Sequence, residues 1–432
     1  MKMANMDDYF DVVIVGTGAA GLYCALNLPA RYRILLLTKQ KADESDSFLA
    51  QGGICMQHGE ADYRPFFDDT MRAGHYENNP ATVDLMIRSS NSIIRDLVRR
   101  GVRFARDDHG ALRFTREGAH SRPRILFHED ITGHEITQTL LNEVLRCENI
   151  ELREHTTLLD FFADASACGG VIAAGPDGEP RAIGAGAVVL ACGGIGGLYK
   201  NSTNFPHITG DAIAMVLRHG VACEHLDYIQ IHPTTLYSHR KGRRFLISES
   251  VRGEGALLLD KNGNRFTNEL QPRDVVSAAI RAQMEKDGTD HVWEDMRPIG
   301  EAAIREHFPN ILERCEEEGY DPIHEPIPVV PAQHYFMGGI TADLCSRTAL
   351  PRLYACGETC CNGVHGRNRL ASNSLLESLV FAQRAADDIL YGEPPVFTGD
   401  KPDLAPYREQ EPLFAAYRQE VLTAIERSKN HE

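Results

Sequence analysis

One segment of the sequence combines residue types that could bind a small acid. Residues 365–377 read HGRNRLASNSLLE and contain small residues, two arginines and the start of a predicted helix. The first N–H groups of a helix have no partner within the helix, so they can donate to the oxygens of a ligand. Arg369 lies just before this helix, and its planar fork of donors suits a carboxylate. The alternative is a capped surface helix with solvated arginines, and a second pattern decides between the two.

That second pattern is a glycine-rich turn near the start of the chain. It follows an apolar strand at residues 11–15 and contains Gly16, Gly18, Ala19, Ala20 and Gly21. A helix and a second strand at residues 34–37 follow, which is the setting in which such glycines let a pyrophosphate approach a helix start. Thr38 and Lys39 stand where an acidic residue usually closes the second strand. This replacement disfavours NAD and favours FAD held by a different ribose contact.

Two later segments repeat the change from a buried strand to a glycine turn. Residues 187–191 lead into the turn at 192–194, and residues 353–355 lead into Gly357 and Glu358. Three such turns from distant parts of the chain predict one nucleotide-binding unit with an insertion. The predicted fold is α/β, a Rossmann-like FAD-binding domain interrupted by an α+β capping domain. We expect the first part of the FAD-binding domain at 1–225, the capping domain at 226–341, and the second part with a C-terminal tail at 342–432.

Composition restricts the class of protein. The formal net charge of −16 argues against a nucleic-acid-binding face. No apolar run approaches the ~20 residues of a membrane span, and residues 1–10 lack the apolar region of a signal peptide. The 11 cysteines include no C-x-x-C pair, which fits reduced thiols in a cytoplasmic protein. Cys356, Cys360 and Cys361 are close enough for a metal or iron–sulfur site, but small residues lining a turn are the simpler interpretation, and we predict no metal.

The predicted insertion is rich in polar groups that could bind charge. His232, Ser248, Glu249, Arg252, Arg273 and His334 all lie within it. A single histidine is more often a hydrogen-bonded structural residue, and an arginine beside an aspartate is usually a surface ion pair. Together with Arg369, however, these residues supply two clusters of donors and cations, which is what the two ends of a dicarboxylate require.

The sequence resembles the L-aspartate oxidase family, within the superfamily of succinate dehydrogenase and fumarate reductase flavoproteins. The resemblance covers residues 9–390 and rests on the glycine turn, on residues 50–53 (AQGG), 115–118 (TREG), 232–234 (HPT), 252–255 (RGEG) and 272–274 (PRD), and on residues 365–377. The sequence departs from the family at Ala119, where a glycine is usual. Only residues 391–432 follow, in place of the C-terminal helical domain of the family's long form.

The resemblance implies a role for each motif. FAD would be held noncovalently by Gly16, Gly18, Ala19, Ala20, Gly21, Lys39, Ser47, Ala50, Gln51, Gly52, Gly53, Asp211, Glu358, Ser374 and Leu375. His232, Ser248, His334 and Arg369 would hold the carboxylates of L-aspartate. Arg273 would move the proton, with Glu249 and Arg252 as a relay, while the hydride passes to the flavin. The relay eases the difficulty that arginine is an unusual base, because its pKa is above ~12.

Two positions discriminate among relatives. Glu117 matches the aspartate oxidases, in which it faces the amino group, whereas enzymes for succinate and fumarate are apolar there. Asp46 stands where complex-bound relatives have the histidine that attaches flavin covalently. The resemblance implies oxidation of L-aspartate to iminoaspartate for NAD biosynthesis, with oxygen or fumarate as electron acceptor and a functional link to quinolinate synthase. The alternative is a soluble fumarate reductase. A third hypothesis, a non-enzymatic or RNA-associated FAD protein, is opposed by the acidic charge.

Overall fold

The structure is a computed structural model that describes residues 8–239, 242–392 and 397–430. The prediction about a signal peptide falls mostly outside these residues. The helices are α1 (Ala19–Asn27), α2 (Tyr63–Ala73), α3 (Pro80–Arg100), α4 (Thr132–Val144), α5 (Asp211–Arg218), α6 (Glu249–Gly253), α7 (Arg273–Asp287), α8 (Glu301–His307), α9 (Pro309–Glu317), α10 (Asn373–Tyr391) and α11 (Gln410–Lys429).

The strands follow in chain order. They are β1 (Tyr9–Val15), β2 (Ile34–Leu37), β3 (Ile54–Cys55), β4 (Ile125–Leu126), β5 (Ile150–Arg153), β6 (Thr157–Ala163), β7 (Cys168–Ala174), β8 (Pro180–Leu190), β9 (Cys223–Glu224), β10 (Ile229–Leu236), β11 (Leu257–Leu259), β12 (Val292–Asp295), β13 (Ile327–Phe336), β14 (Gly339–Thr341), β15 (Leu353–Ala355) and β16 (Cys360–Cys361).

The main sheet contains five parallel strands, β5, β2, β1, β8 and β15, with their carboxyl ends at one edge. Its order is β5-β2-β1-β8-β7-β6, and the second half of β8 also pairs in parallel with β15. The first half of β8 pairs antiparallel with β7. Because ligands of open parallel sheets bind at the carboxyl ends of the strands, the ends of β1, β2, β8 and β15 define where a nucleotide site is expected.

Both faces of this sheet are covered by apolar residues. Along β1, Val12 and Ile14 pack in the cluster that contains α1, α3, α4 and α10, whereas Val13 and Val15 pack in the cluster on the other face with α5 and α11. This alternation follows from the period of two in a strand. The continuous apolar sequence of β1 and β2 therefore reflects burial on both sides, as in other parallel sheets.

A second, antiparallel sheet is inserted between β9 and β14. Its order is β10-β13-β12-β11, and α6 to α9 belong to the same stretch of chain. It has its own apolar core, which includes Val251, Leu258, Ile280 and Ile311. The predicted fold class is thus confirmed, while the boundaries proposed at 225/226 and 341/342 stay a prediction. Within the described residues, no helix has both the length and the apolar composition needed to cross a membrane.

Candidate active site

The glycine turn after β1 brings the start of α1 to the edge of the sheet. Gly16 has a φ of +115°, and a Cβ atom there would lie 2.0 Å from the carbonyl oxygen of Ala191. A Cβ atom on Gly21 would lie 1.9 Å from the carbonyl oxygen of Gly16. Only glycine fits such contacts. The N–H of Ala19 donates to Oγ of Ser47 at 3.0 Å, so the turn also fixes the neighbouring loop.

A cleft runs along the carboxyl edge of the parallel strands. Its empty volume is about 1720 Å³, and its walls come from the ends of β1, β2, β8 and β15, from α10 and from the inserted sheet. Thr17 Oγ1, Ser45 Oγ, Asp46 Oδ2 and Gln51 Oε1 are buried on these walls without a hydrogen-bond partner among the described residues. Since buried polar groups are ordinarily paired, these atoms fit a polar ligand such as FAD.

Most of the predicted FAD-binding residues lie on the walls of this cleft. They are Gly16, Gly18, Ala20, Lys39, Ser47, Ala50, Gln51, Gly52, Gly53, Asp211, Glu358, Ser374 and Leu375. Ala19 and Gly21 do not line it: Ala19 packs in the apolar core, and Gly21 packs against the turn. These two residues support the shape of the turn and do not add a side chain to the cleft.

Lys39 occupies the place of the usual acidic residue and forms an ion pair of its own. Its Nζ pairs with Asp211 and donates to the carbonyl oxygen of His207 at 3.1 Å. Asp211 Oδ1 in turn accepts from Oγ1 of Thr209 at 2.7 Å. The end of β2 is thereby tied to the start of α5, and both residues border the cleft.

Glu358 follows β15 and reaches across to the inserted sheet. Its Oε1 accepts from the N–H of Phe336 at 3.0 Å. A Cβ atom on Gly194 would lie 2.3 Å from the same oxygen, so a larger residue in the β8 turn would displace the Glu358 carboxyl group. Desolvation, and next the charge of Asp46, raise the pKa of Glu358 to about 8. At pH 7 this carboxyl group is mostly protonated, so it can both donate and accept a hydrogen bond.

The segment at residues 365–377 forms another wall of the cleft. Ser372 precedes α10 with a φ of +62°, a conformation that residues other than glycine rarely adopt. Its Oγ accepts from the N–H of Gly53 at 3.1 Å and donates to Oε2 of Glu117 at 2.6 Å. The start of α10, the AQGG loop and Glu117 are therefore held together, and such local strain is typical of functional sites.

Two buried guanidinium groups meet at one glutamine. Gln230 Oε1 accepts from Arg273 Nη1 at 2.8 Å and from Arg369 Nε at 3.3 Å. Arg369 also donates to Oγ of Ser374 at 2.6 Å and lies 4.2 Å from the centre of the Tyr335 ring. Burial, and next the charge of Arg273, lower the pKa of Arg369 to about 10. This buried positive charge is one that an anionic ligand would offset.

Two neutral histidines lie next to these cations. The rings of His232 on β10 and His334 on β13 have centres 5.1 Å apart. His232 Nδ1 is 2.9 Å from the carbonyl oxygen of Thr234, and its Nε2 has no partner among the described residues. His334 Nδ1 is 2.7 Å from Oγ1 of Thr203. Burial, and next the charge of Arg273, hold the pKa of both rings well below the ordinary value, so both are neutral at pH 7.

Arg273, Glu249 and Arg252 form a buried row that leads away from the cleft. Glu249 Oε2 accepts from Arg273 Nε at 2.5 Å and lies 3.8 Å from Arg252 Nη2. Burial alone would raise the pKa of Glu249, but the charges of Arg273 and then Arg252 hold it below the ordinary value. Arg252 is the one predicted catalytic residue that does not line the cleft; its Nη1 donates to the carbonyl oxygen of Glu269 at 2.6 Å.

Glu117 joins the two halves of the site. Its side chain is only 3% exposed, and its Oε1 accepts from Oγ of Ser250 at 2.9 Å. Burial, and next the negative charge of Glu249, raise the pKa of Glu117. Glu117 has two arginines close to it in sequence, Arg116 and Arg122, but it does not form a surface ion pair with them, because its carboxyl group is buried and bonded to serines.

Several residues of the site were not predicted from the sequence. Gln230 lies two positions before His232 on β10, so the period of two in a strand could have placed it on the same face. Ser250, on the first turn of α6, was also not predicted, although the predicted Ser248 caps the same helix. Nothing in the sequence marks Tyr335. Cys356, Cys360 and Cys361 are buried, and the described residues hold no group of three or more His, Cys, Asp or Glu arranged for a metal ion.

Known proteins resemble this chain over most of its length. The family described as FAD binding domain matches residues 11–375. An L-aspartate oxidase of Clostridium perfringens is 48% identical over 88% of this chain and 86% of its own length. That of Nostoc sp. is 44% identical over 98% of this chain and 76% of its own length.

The fold is also found among solved structures. A quinol–fumarate reductase with menaquinol molecules is 32% identical, with a TM-score of 0.85 over 96% of this chain and 75% of that chain. A point mutant of the quinol fumarate reductase subunit FrdA of E. coli is 31% identical, with a TM-score of 0.83 over 95% of this chain and 74% of that chain. The chain therefore contains an FAD binding domain and belongs to the L-aspartate oxidase family.

Proposed function

We propose that this chain oxidises L-aspartate to iminoaspartate, with FAD as the first electron acceptor. The observation that carries the proposal is a buried carboxyl group, Glu117, in the same cleft as two buried guanidinium groups, Arg273 and Arg369. Arg273, paired with Glu249, can accept a proton. Arg369 and the adjacent neutral histidines can bind two carboxylates, and the Glu117 carboxyl group can bind an ammonium. L-Aspartate has these three charges.

The residues of the cleft fit FAD. We assign the pyrophosphate to the glycine turn and the start of α1, where the free N–H groups and the helix dipole favour an anion. Lys39, Asp211 and Glu358 supply polar groups at the ends of β2, β8 and β15, and the AQGG loop with Ser374 and Leu375 supplies the remaining wall. When bound, FAD accepts a hydride from the substrate. The buried atoms without partners, Thr17 Oγ1 among them, support this assignment.

We assign the substrate carboxylates to His232, Ser248, His334 and Arg369. Arg369 is buried and its pKa is lowered, which shows that its positive charge is unfavourable there. A substrate carboxylate beside it would pair with this charge and offset the cost of burying it. The neutral histidines add hydrogen-bonding groups without adding charge. The two kinds of group together would hold a dianion at both ends and fix its orientation in the cleft.

Arg273 and its relay would remove the proton. Forming a carbon–nitrogen double bond takes a hydride from the carbon and a proton from the nitrogen of the substrate. Arg273 can accept that proton only if it passes one of its own to Glu249, whose Oε2 is 2.5 Å away. Arg252 would keep Glu249 ionised between turnovers, which is the state in which it can accept.

Glu117 favours aspartate over succinate and fumarate. An opposite charge near the ammonium attracts it, and the attraction is stronger in a site removed from water. The soluble fumarate reductase remains the second candidate because it would use the same cations. Rates measured on one preparation with L-aspartate, succinate and fumarate test the proposal: we expect aspartate oxidation with iminoaspartate as product, and activity confined to succinate and fumarate would contradict it.

The partners of the reaction are also part of the proposal. Oxygen or fumarate would take the electrons back from the flavin, and quinolinate synthase would use iminoaspartate for NAD biosynthesis. We place the protein in the cytoplasm. The absence of disulfides among the described residues, whose cysteines are all free, supports this location.

A further inference from the structure

Glu117 lies in an environment that disfavours its charge. The carboxyl group is buried, and Glu249 is close by, since a Cβ atom on the intervening Gly118 would lie 2.4 Å from Glu249 Oε1. Both burial and the second negative charge favour the protonated form of Glu117. A protonated Glu117 would have no net charge with which to attract an ammonium group. The proposed role of Glu117 toward the ammonium group therefore requires groups that favour the carboxylate.

Three groups oppose this tendency: the positive charge of Arg273 and two serine hydroxyls, one from each half of the molecule. Ser372, at the start of α10, donates to Oε2 at 2.6 Å, and Ser250, on α6 of the inserted segment, donates to Oε1 at 2.9 Å. Each oxygen of the carboxylate thus has one hydroxyl donor. Hydrogen bonds to the charged form of a carboxylate stabilise that form.

The two serines are not equivalent. Ser372 Oγ also accepts from the N–H of Gly53, so it is part of the loop that lines the FAD cleft. Ser250 Oγ has Glu117 as its side-chain partner, while its backbone N–H donates to Ser248 Oγ. A change at Ser372 would disturb the cofactor loop, whereas a change at Ser250 removes one hydrogen bond to Glu117.

We propose that Ser250 is a positioning residue that determines specificity for an amino dicarboxylate, because its hydroxyl orients Glu117 and holds it as a carboxylate toward the ammonium group of the substrate. This inference rests on the proposed function. Without the Ser250 donor, Oε1 has no hydroxyl partner, and only Ser372 and the charge of Arg273 are left to oppose burial. The Glu117 carboxylate would then be held by Ser372 at Oε2 alone, which fixes its orientation toward the substrate less firmly.

The pH dependence of kcat/KM for aspartate should report the ionisation of Glu117. Aspartate binding needs ionised Glu117, so activity is present above the pKa of Glu117 and is lost as the pH falls through it. Removal of a donor raises this pKa further, so Ser250→Ala should move the acid limb of kcat/KM for aspartate to higher pH. A hydrogen bond to a charged group corresponds to roughly tenfold or more in an equilibrium constant, hence a shift of about one pH unit.

The experiment compares Ser250→Ala with two further variants of the holoenzyme. Ser250→Thr keeps a hydroxyl and should restore the wild-type pH profile. Ser346→Ala removes a buried serine hydroxyl that donates to the carbonyl oxygen of Phe381, outside the cleft, and should leave the profile unchanged. Fumarate reduction, which involves no ammonium, should keep its pH profile in all of them.

A double mutant separates specific positioning from general damage. In a Glu117→Gln background, Ser250→Ala should have little further effect on aspartate kinetics, because the group it acts on is gone. An unshifted acid limb in Ser250→Ala, or an equal loss for aspartate and fumarate, would overturn the inference.

An infrared titration keeps this test separate from the proposed function. The carbonyl band of protonated Glu117, identified by its loss in Glu117→Gln, reports the ionisation of this residue without turnover. The band should appear at higher pH in Ser250→Ala than in wild type. If wild type fails to oxidise aspartate, the proposed function is wrong; if the band titrates identically in both proteins, Ser250 does not hold the charge, and the inference is wrong whatever the substrate.

Discussion

Replacement of Arg369 by leucine should weaken aspartate binding and leave the protein at least as stable. Arg369 is 5% exposed, donates to Gln230 and Ser374, and has no carboxylate partner among the described residues. The substrate would supply that partner. A hydrogen bond to a charged group contributes roughly 1.5–3 kcal/mol, so KM for aspartate should rise about 10- to 150-fold.

Arg369→Leu should not destabilise the folded protein, although it weakens aspartate binding. The pKa of Arg369 is lowered to about 10 by burial and by Arg273, which means that the folded protein disfavours the charged form. A neutral leucine removes this cost at any pH below that value. We therefore expect a midpoint of thermal unfolding equal to or above that of wild type, a trade-off between stability and binding that is common at functional sites.

The assay combines steady-state kinetics with two controls. Arg367→Leu changes a half-exposed arginine two positions away, outside the cleft, and should leave KM within about twofold because surface contacts contribute ~0–1 kcal/mol. The affinity for FAD, measured by fluorescence on release, should change little in Arg369→Leu. An unchanged KM for aspartate in Arg369→Leu, or a loss of FAD in parallel with activity, would refute the assignment of Arg369 to the substrate.

Three further predictions concern other parts of the site and fold. Glu117→Gln keeps the shape and removes the charge, so aspartate oxidation should fall and lose its acid limb while fumarate reduction is spared; equal losses in both would remove the reason for preferring aspartate oxidase. FAD should be noncovalent because Asp46 cannot form a histidyl link, so acid precipitation should leave the yellow colour in the supernatant and not in the pellet. Arg124→Met should lower the free energy of unfolding by about 3–5 kcal/mol, because Arg124 is fully buried and lies 2.9 Å from Asp62 and 2.8 Å from Asp69. As a control in urea unfolding, Arg64→Met, at an exposed ion pair, should lower the free energy of unfolding by less than about 1 kcal/mol. Similar losses of unfolding free energy in Arg64→Met and Arg124→Met would show that the buried ion pairs of Arg124 do not stabilise the fold more than a surface pair does.

The sequence was sufficient to predict those parts of the fold whose structure depends on neighbouring residues. The glycine turn and the burial of β1 and β2 follow from the types and spacing of residues, and the structure places them at the edge where the cleft lies. The helix after Arg369 begins at Asn373, within the segment where it was predicted. In these places the backbone conformation depends on residues close in sequence.

The sequence was not sufficient to predict side-chain pairing and burial where these depend on residues far apart in the chain. The pairing of Lys39 with Asp211, and of Glu117 with Ser250, joins residues more than a hundred positions apart, so no local rule identifies it. Whether Glu117 was a surface residue or a buried one depended on the approach of α6 and α10 from distant parts of the chain. Arg252, by contrast, lies three residues after Glu249 on α6, so helical spacing accounts for their contact, whereas its hydrogen bond to the carbonyl oxygen of Glu269 depends on the fold.

If the proposed function is right, L-aspartate itself reduces the bound flavin. The most direct measurement mixes purified holoenzyme with L-aspartate under anaerobic conditions and follows the flavin absorbance. We expect rapid bleaching by L-aspartate, much slower bleaching by succinate, and recovery of the yellow colour on addition of oxygen or fumarate. A flavin that stays oxidised with L-aspartate but bleaches with succinate would contradict the proposed function.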